Sequence, residues 1–133
     1  KIMEIQDCFV VGEKYKELAE SPRTLEEIVN YPLLLLEKES NSRAYIDKYF
    51  AENHITVHPE IELGNFELLV HFAVIDFGVA CVIKNFIKEE LNKSLLYEVN
   101  LINPIPPRYI GLIHLKSVPL SAASNKFLSF LIP

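Results

Sequence analysis

The clearest pattern along the chain is an apolar helix that ends at a glycine and continues into an apolar strand. Asn65 is a favourable N-cap, and Glu67 lies in the first turn, where the helix dipole favours a negative charge. We expect a helix over residues 65–77, ended by Gly78 in the left-handed conformation, and then a strand over residues 79–83. Because apolar residues lie on nearly every side of this helix, it is predicted to be buried or packed between two surfaces.

Strands and helices alternate through the rest of the chain. Short apolar or alternating runs predict strands at residues 8–11, 33–36, 54–63, 95–101 and 109–115. Cap residues and helical spacing predict helices that begin near residues 13, 24, 40, 88 and 121. This alternation indicates an α/β fold with a mostly parallel sheet covered by helices. In such folds the ligand crevice lies beyond the carboxyl ends of the strands, where the helix N-termini at Ser40 and Asn65 are expected.

The composition sets the broad class of the protein. The chain has 133 residues, half of them hydrophobic, which is enough for one buried core and one domain. Its formal charge of -5 argues against nucleic-acid binding by this chain itself. No apolar run reaches the length of a membrane span and no signal peptide is evident, so we expect a soluble, cytoplasmic protein. The sequence starts at Lys1 rather than Met, which is compatible with removal of an earlier part. Cys8 and Cys81 lie in apolar runs and are predicted to be buried, reduced thiols.

Ser40, Asn41 and Ser42 are the best candidates for ligand binding, because a helix N-terminus offers free N–H groups to a polar or anionic ligand. Plain helix capping explains the same residues equally well, and the two interpretations are compatible. Glu37 follows the strand at residues 33–36 and lies either in solvent or in the crevice.

Other candidate motifs favour structural roles. Residues 76–78 spell the kinase metal-binding tripeptide Asp-Phe-Gly, but none of the other kinase motifs accompanies it. His54 and His58 are predicted to be surface residues, because no third metal ligand is near in sequence. His71 and His114 are predicted to be packed within their elements. We therefore expect no metal, no cofactor and no catalytic residue set, and an enzyme is the least favoured class.

The order of these elements resembles the effector-binding domain of LysR-type transcriptional regulators. The resemblance is carried by Ser40, Arg43, Phe127 and Leu128 and by residues 25–28, 31–34, 59–62, 77–80 and 120–123. It covers nearly the whole chain and rests on order and spacing rather than on one specific motif. The sequence departs from the family pattern at Asp76, where glycine is frequent, and at Ile83, where proline is frequent.

The resemblance implies a two-lobed fold similar to periplasmic binding proteins of type II, with a small-molecule inducer between the lobes. Residues 27–102 would form lobe two, and residues 1–26 and 103–133 would be the remnant of lobe one. The N-terminal DNA-binding domain and the first part of lobe one are expected to be absent, and the full protein is expected to be a homodimer or higher homo-oligomer. The implied ligand-binding residues are Glu37, Ser40, Asn41, Ser42, Asn65, Phe66 and Ile83.

Two further expectations follow from this resemblance. The alternative function is a solute-binding protein of a transport system, which has the same two-lobed fold. An incomplete lobe one would also leave the strands at residues 8–11 and 109–115 with exposed edges, which favour self-association.

Overall fold

The structure is a computed structural model, and it describes residues 3–111. The strands in this part of the chain are β1 (Met3–Ile5), β2 (Asp7–Val11), β3 (Leu33–Leu36), β4 (Ile61–Leu63), β5 (Val79–Ile83), β6 (Tyr97–Val99) and β7 (Arg108–Ile110). The α-helices there are α1 (Leu25–Ile28), α2 (Asn41–Glu52), α3 (Phe66–Val74) and α4 (Lys88–Asn92). Two 3₁₀ helices, Glu13–Ala19 and Lys84–Phe86, complete the described elements. None of the described helices is long and apolar enough to cross a membrane.

The main sheet has five strands in the order β4-β3-β5-β2-β6. Strand β3 is parallel to β4 and β5, whereas β2 is antiparallel to both β5 and β6. The predicted α/β class is confirmed. The sheet is mixed rather than mostly parallel, because β2 runs antiparallel to β5, with Asp7 at the start of β2 paired to Ile83 at the end of β5. The expectation that residues 8–11 have an exposed edge is wrong, since β2 has a strand on each side.

Both faces of the sheet are covered, so consecutive residues of one strand enter different cores. Phe9 packs with Phe50 of α2 on one face, with the ring centroids 6.0 Å apart in an edge-to-face arrangement. Val10 packs with Leu69 of α3 on the other face. All five residues of β2 are buried. Strands buried on both faces are continuous apolar runs, which is why residues 8–11 and 33–36 were recognisable in the sequence.

Helix α3 is shorter and less buried than its apolar sequence predicts. It spans Phe66–Val74, and the Asn65 side chain caps it by accepting a hydrogen bond from the Leu68 N–H at 3.0 Å. Its inner side, including Leu69, is buried against the sheet, whereas Leu68 and Ile75 are 42% and 48% exposed. Within the described residues the helix therefore packs on one surface, and its opposite side is open.

Gly78 is required for a different reason from the one predicted. The residue with positive φ after α3 is Asp76, at 70°, and Gly78 does not have a positive φ. Aspartate tolerates the left-handed region, and its carboxylate here accepts the backbone N–H of Lys14 at 3.0 Å. A Cβ at Gly78 would overlap the backbone carbonyl of Pro32, so the need for glycine is steric.

A separate ribbon of two antiparallel strands, β1 and β7, lies beside the main sheet, and we call it the β1–β7 ribbon. Ile5 pairs with Arg108 and Met3 with Ile110. Only Gln6 separates β1 from β2, so the chain passes directly from the ribbon into an inner strand of the main sheet.

Several predicted element bounds differ from the observed ones. Residues 54–60 are not a strand and β4 begins at Ile61, while the strand predicted at 95–101 contracts to Tyr97–Val99. The helix predicted from residue 13 is a 3₁₀ helix. Residues 112–115 of the last predicted strand and the helix predicted from Ser121 lie outside the described residues.

Candidate functional site

The N-terminus of α2 lies at the carboxyl end of β3 and is held there by a buried arginine. Ser40 caps the helix, because its Oγ accepts the backbone N–H of Arg43 at 2.9 Å. The Arg43 side chain, which is 2% exposed, donates to the Leu36 carbonyl at 2.9 Å and pairs with Glu62 at 2.7 Å. It also pairs with Asp47 at 2.8 Å. These contacts tie the helix start to the ends of β3 and β4.

The charge of Arg43 is well compensated. Burial by itself would lower the pKa of the guanidinium, but the hydrogen bonds to Asp47 and Glu62 outweigh it, so the pKa is raised. Arg43 therefore stays charged, and its forked donors fix the position of the helix N-terminus.

A second charged pair lies on the ribbon side of the same helix. Arg108 donates from Nε to Asp7 Oδ2 at 2.8 Å and from Nη2 to Asp7 Oδ1 at 3.1 Å. The same Nη2 donates to Ser42 Oγ at 2.7 Å. The guanidinium carbon lies 5.3 Å from the centre of the Tyr45 ring, so the cation also rests on an aromatic face. Asp7 is only 3% exposed, and its charge is satisfied by this bidentate contact.

A small cavity of about 10 Å³ lies between these charged groups and the helix N-termini. Its lining includes Asp7 and Ser42 together with Phe66, Cys81 and Ile83. A volume of this size holds about one water molecule, so a larger ligand needs a more open arrangement.

The structure brings together only some of the predicted ligand-binding residues. Ser42, Phe66 and Ile83 line the cavity, whereas Ser40 and Asn65 use their side chains as helix caps. Asn41 and Glu37 are exposed. The assignment of these residues to ligand binding stays a prediction.

Sequence reasoning missed Asp7 and Arg108 as members of this region. The two residues are 101 positions apart in the chain, and neither belongs to a motif. The available signals were weak: Asp7 is a charged residue next to the apolar run at residues 8–11, and Arg108 follows two prolines.

Both cysteines are free, as predicted, but only Cys8 is buried, whereas Cys81 is half-buried. Burial raises the pKa of Cys8 to about 12 and also raises the pKa of Cys81 well above its ordinary value. Cys8 is opposite Val82 and Cys81 is opposite Phe9, so the two side chains lie on different faces of the sheet. Thiols with raised pKa values are poor nucleophiles near neutral pH.

The remaining candidates are at the surface or structural. His54 and His58 are exposed, and no group of three or more potential metal ligands occurs within residues 3–111. The prediction that His71 is packed is wrong, because it lies on the open side of α3. His114 lies outside the described residues. Asp76 of the kinase-like tripeptide is engaged with the backbone of Lys14.

Comparison with known proteins places this geometry in a family. The chain is 30% identical over 116 residues to the uncharacterized HTH-type transcriptional regulator YeiE of Escherichia coli K12, a match that covers 87% of this chain and 40% of that protein. The chain thus spans less than half of the length of this relative. The same identity and coverage hold for YeiE of Escherichia coli O157:H7.

Solved structures share the fold over almost the whole chain. The effector-binding domain of QuiR in complex with shikimate has a TM-score of 0.79 at 22% identity, covering 98% of this chain and 61% of that one. The regulatory domain of Synechocystis CcmR in complex with 2-PG also has a TM-score of 0.79, at 16% identity, covering 98% of this chain and 63% of that one. The family model of the LysR substrate-binding domain matches residues 1–133. The predicted resemblance is therefore confirmed, and this chain belongs to the LysR substrate-binding domain family.

Proposed function

We propose that this chain is the effector-sensing part of a LysR-type transcriptional regulator and binds a small metabolite at the carboxyl ends of β3 and β5. The observation that carries the proposal is the arrangement at this edge. The start of α2 with Ser42 and Arg43, the half-buried Phe66 at the start of α3, and Asp7, which Arg108 holds by an ion pair, all line one cavity. Free N–H groups, a hydroxyl and a guanidinium suit a polar or anionic metabolite.

The relatives support a regulatory role over transport. YeiE is named as a transcriptional regulator, and the similar structures of QuiR and CcmR hold shikimate and 2-PG. Because the chain spans only 40% of YeiE, we propose that DNA binding belongs to a part of the full protein that is not in this chain. We propose no catalytic role, since the raised pKa values of both thiols disfavour nucleophilic chemistry.

The boundary between the lobes is also part of the proposal. The sequence predicted lobe two at residues 27–102, and this division stays a prediction. The position of β2 inside the main sheet, between β5 and β6, favours a longer lobe two that begins at Gln6 and ends near Pro107. The β1–β7 ribbon would then contain both chain crossings between the lobes.

We further propose that the full protein is a homo-oligomer that uses the open side of α3. Leu68, Ile75 and Phe77 are 42%, 48% and 50% exposed, which is unusual for large apolar side chains in one helix region. The end of α3 lies beside Gly12, at the opposite end of β2 from the ribbon through which the rest of lobe one is attached. A second copy of the protein is therefore the proposed occupant of this surface.

The ligand-binding proposal is tested on the full-length protein. A thermal-shift screen of small metabolites that includes shikimate and 2-PG should identify at least one that stabilises it. Calorimetry with that compound should show affinity weakened by about two- to tenfold in the Ser42→Ala variant, since one hydrogen bond contributes about 0.5–1.5 kcal/mol. Lys48→Ala, on the exposed part of the same helix, is the matched control. A screen without any hit, or equal affinities for wild type and Ser42→Ala, contradicts the proposal.

The oligomer proposal has its own test. Ile75→Glu places a charge on the exposed part of α3 and should shift the full-length protein to a smaller species in light scattering. Lys88→Glu, at the start of α4, is a control for the added negative charge. An unchanged mass for Ile75→Glu would remove α3 from the interface.

A further inference from the structure

Arg108 joins three parts of the molecule that are far apart in sequence. It is the first residue of β7 in the ribbon, it pairs with Asp7 at the start of β2, and it donates to Ser42 in α2. The hydrogen bond from Arg108 to Ser42 links the ribbon to the first turn of α2, and the Tyr45 hydroxyl of the same helix donates to the Pro106 carbonyl at 2.7 Å, just before the ribbon. The guanidinium group of Arg108 therefore connects the ribbon to the start of α2.

A second contact holds the ribbon without involving α2. The Asn85 side chain accepts the backbone N–H of Gln6 at 3.0 Å and donates to the Glu4 carbonyl at 3.0 Å. The backbone N–H of Lys84 also donates to the Gln6 carbonyl at 2.8 Å. This set of bonds fastens β1 to the end of β5 and is independent of Ser42.

The geometry of Arg108 limits how these parts can move. A guanidinium is planar and its donors are fixed in one fork. Arg108 can hold both oxygens of Asp7 and reach Ser42 only while the ribbon and the α2 N-terminus keep their present distance. If Arg108 loses its hydrogen bond to Ser42, the ribbon therefore loses one of the contacts that fix it against α2.

We infer that Arg108 is a positioning residue that couples the N-terminus of α2 to the β1–β7 ribbon. A ligand group that takes the Arg108 donor in place of the Ser42 hydroxyl breaks this hydrogen bond, and the ribbon loosens relative to the main sheet. This inference rests on the proposed function only in naming the α2 N-terminus as the ligand site. The coupling itself is a property of the ligand-free chain.

Hydrogen exchange of the full-length protein without any ligand tests the coupling. In the Ser42→Ala variant, the ribbon amides in residues 3–5 and 108–110 should exchange about three- to tenfold faster, as expected for the loss of one hydrogen bond of ordinary net strength. The amides of β3 and β5 should exchange at the wild-type rate. A change confined to the ribbon separates the coupling from a general loss of stability.

Double variants distinguish coupling through Arg108 from any other route. In the Arg108→Gln background, Ser42→Ala should have no further effect on ribbon exchange. In the Asn85→Ala background, which breaks the independent contact, the full increment of Ser42→Ala should remain. Arg108→Lys serves in place of Arg108→Gln if that variant does not fold, because lysine cannot keep the bidentate contact and reach Ser42 as well.

The inference is overturned by either of two results. One is unchanged ribbon exchange in Ser42→Ala, and the other is an equal increment of Ser42→Ala with and without Arg108. Neither result bears on metabolite binding by the full-length protein, which calorimetry tests separately.

Discussion

The two ends of the five-stranded sheet are held together by different interactions. Among residues 3–111, the buried charged side chains are Asp7 and Arg43, and both lie at the carboxyl ends of β5 and β3. The opposite end has glycines in tight contact with backbone: a Cβ at Gly12 would lie 2.6 Å from the Ala73 carbonyl, and one at Gly78 would overlap Pro32. The packing at one end of the sheet relies on ion pairs, whereas the packing at the other end requires glycine because no side chain fits there.

This difference has a functional meaning. Apolar packing of similar volume often stabilises a protein as well as a buried ion pair does, because removing charges from water is costly. Two such arrangements at one end of the sheet therefore indicate a requirement other than stability. The proposed function supplies that requirement, since a polar ligand needs fixed donors at the helix N-termini.

The largest expected effect is at the glycine end. Gly78→Ala should lower the free energy of unfolding by about 3 kcal/mol, because backbone must move to admit the new methyl group. Urea denaturation measures this change. Gly111→Ala is the matched control, since a Cβ there meets no atom of residues 3–110 within 4 Å and should leave stability unchanged. Equal stability of the two variants would mean that β5 does not lie tightly against Pro32.

The charged end should respond less strongly. Arg43→Met should lower the free energy of unfolding by about 2 kcal/mol, because the Leu36 carbonyl loses its donor while Asp47 and Glu62, about two-fifths exposed, can turn to water. Arg43→Lys retains the charge but not the fork and should recover less than half of the loss. If lysine restores the stability fully, charge alone matters and the geometry of the fork does not.

The cap of α2 contributes a smaller amount. Ser40→Ala should cost about 1 kcal/mol, since the backbone N–H of Arg43 loses its acceptor. Thermal unfolding followed by circular dichroism measures this cost. Ser40→Asp, which keeps an acceptor at the same position, should retain the wild-type stability. A similar loss in both variants would show that Ser40 acts through something other than capping.

The smallest effect is expected far from both ends. Lys93 and Glu89 form an ion pair on α4 at 2.6 Å, but their side chains are 61% and 72% exposed. Lys93→Ala should therefore leave the unfolding midpoint unchanged within error, because water screens such pairs. A measurable loss of stability in Lys93→Ala would mean that exposed ion pairs also stabilise this protein. The comparison of the two sheet ends, which relies on the difference between buried and exposed charge, would then be weaker.

Local features of the fold were predictable because neighbours in sequence create them. The capping box of Thr24 and Glu27 is present, with each side chain accepting the other's backbone N–H at 3.2 Å. The caps at Ser40 and Asn65 are present as well. The buried runs in β2 and β3 were recognisable because both faces of these strands meet apolar side chains.

The candidate site was only partly predictable. Its helix N-termini could be read from the sequence, since cap residues mark them. The pairing of Asp7 with Arg108 could not, because nothing near either residue indicates a partner 101 positions away. The sequence also suggested a left-handed Gly78, whereas steric contact with Pro32 is the actual constraint, and that contact exists only after β3 and β5 lie side by side.

Local composition and spacing were sufficient to determine the α/β class and the starts of α1, α2 and α3, because these depend on short-range hydrogen bonding and on the periodicity of apolar residues. Tertiary structure decided the mixed direction of the sheet, the exposure of one side of α3 and the meeting of ribbon, β2 and α2 in Arg108. These features depend on which distant segments become neighbours. That outcome is set by the packing of the whole core, and no local pattern encodes it.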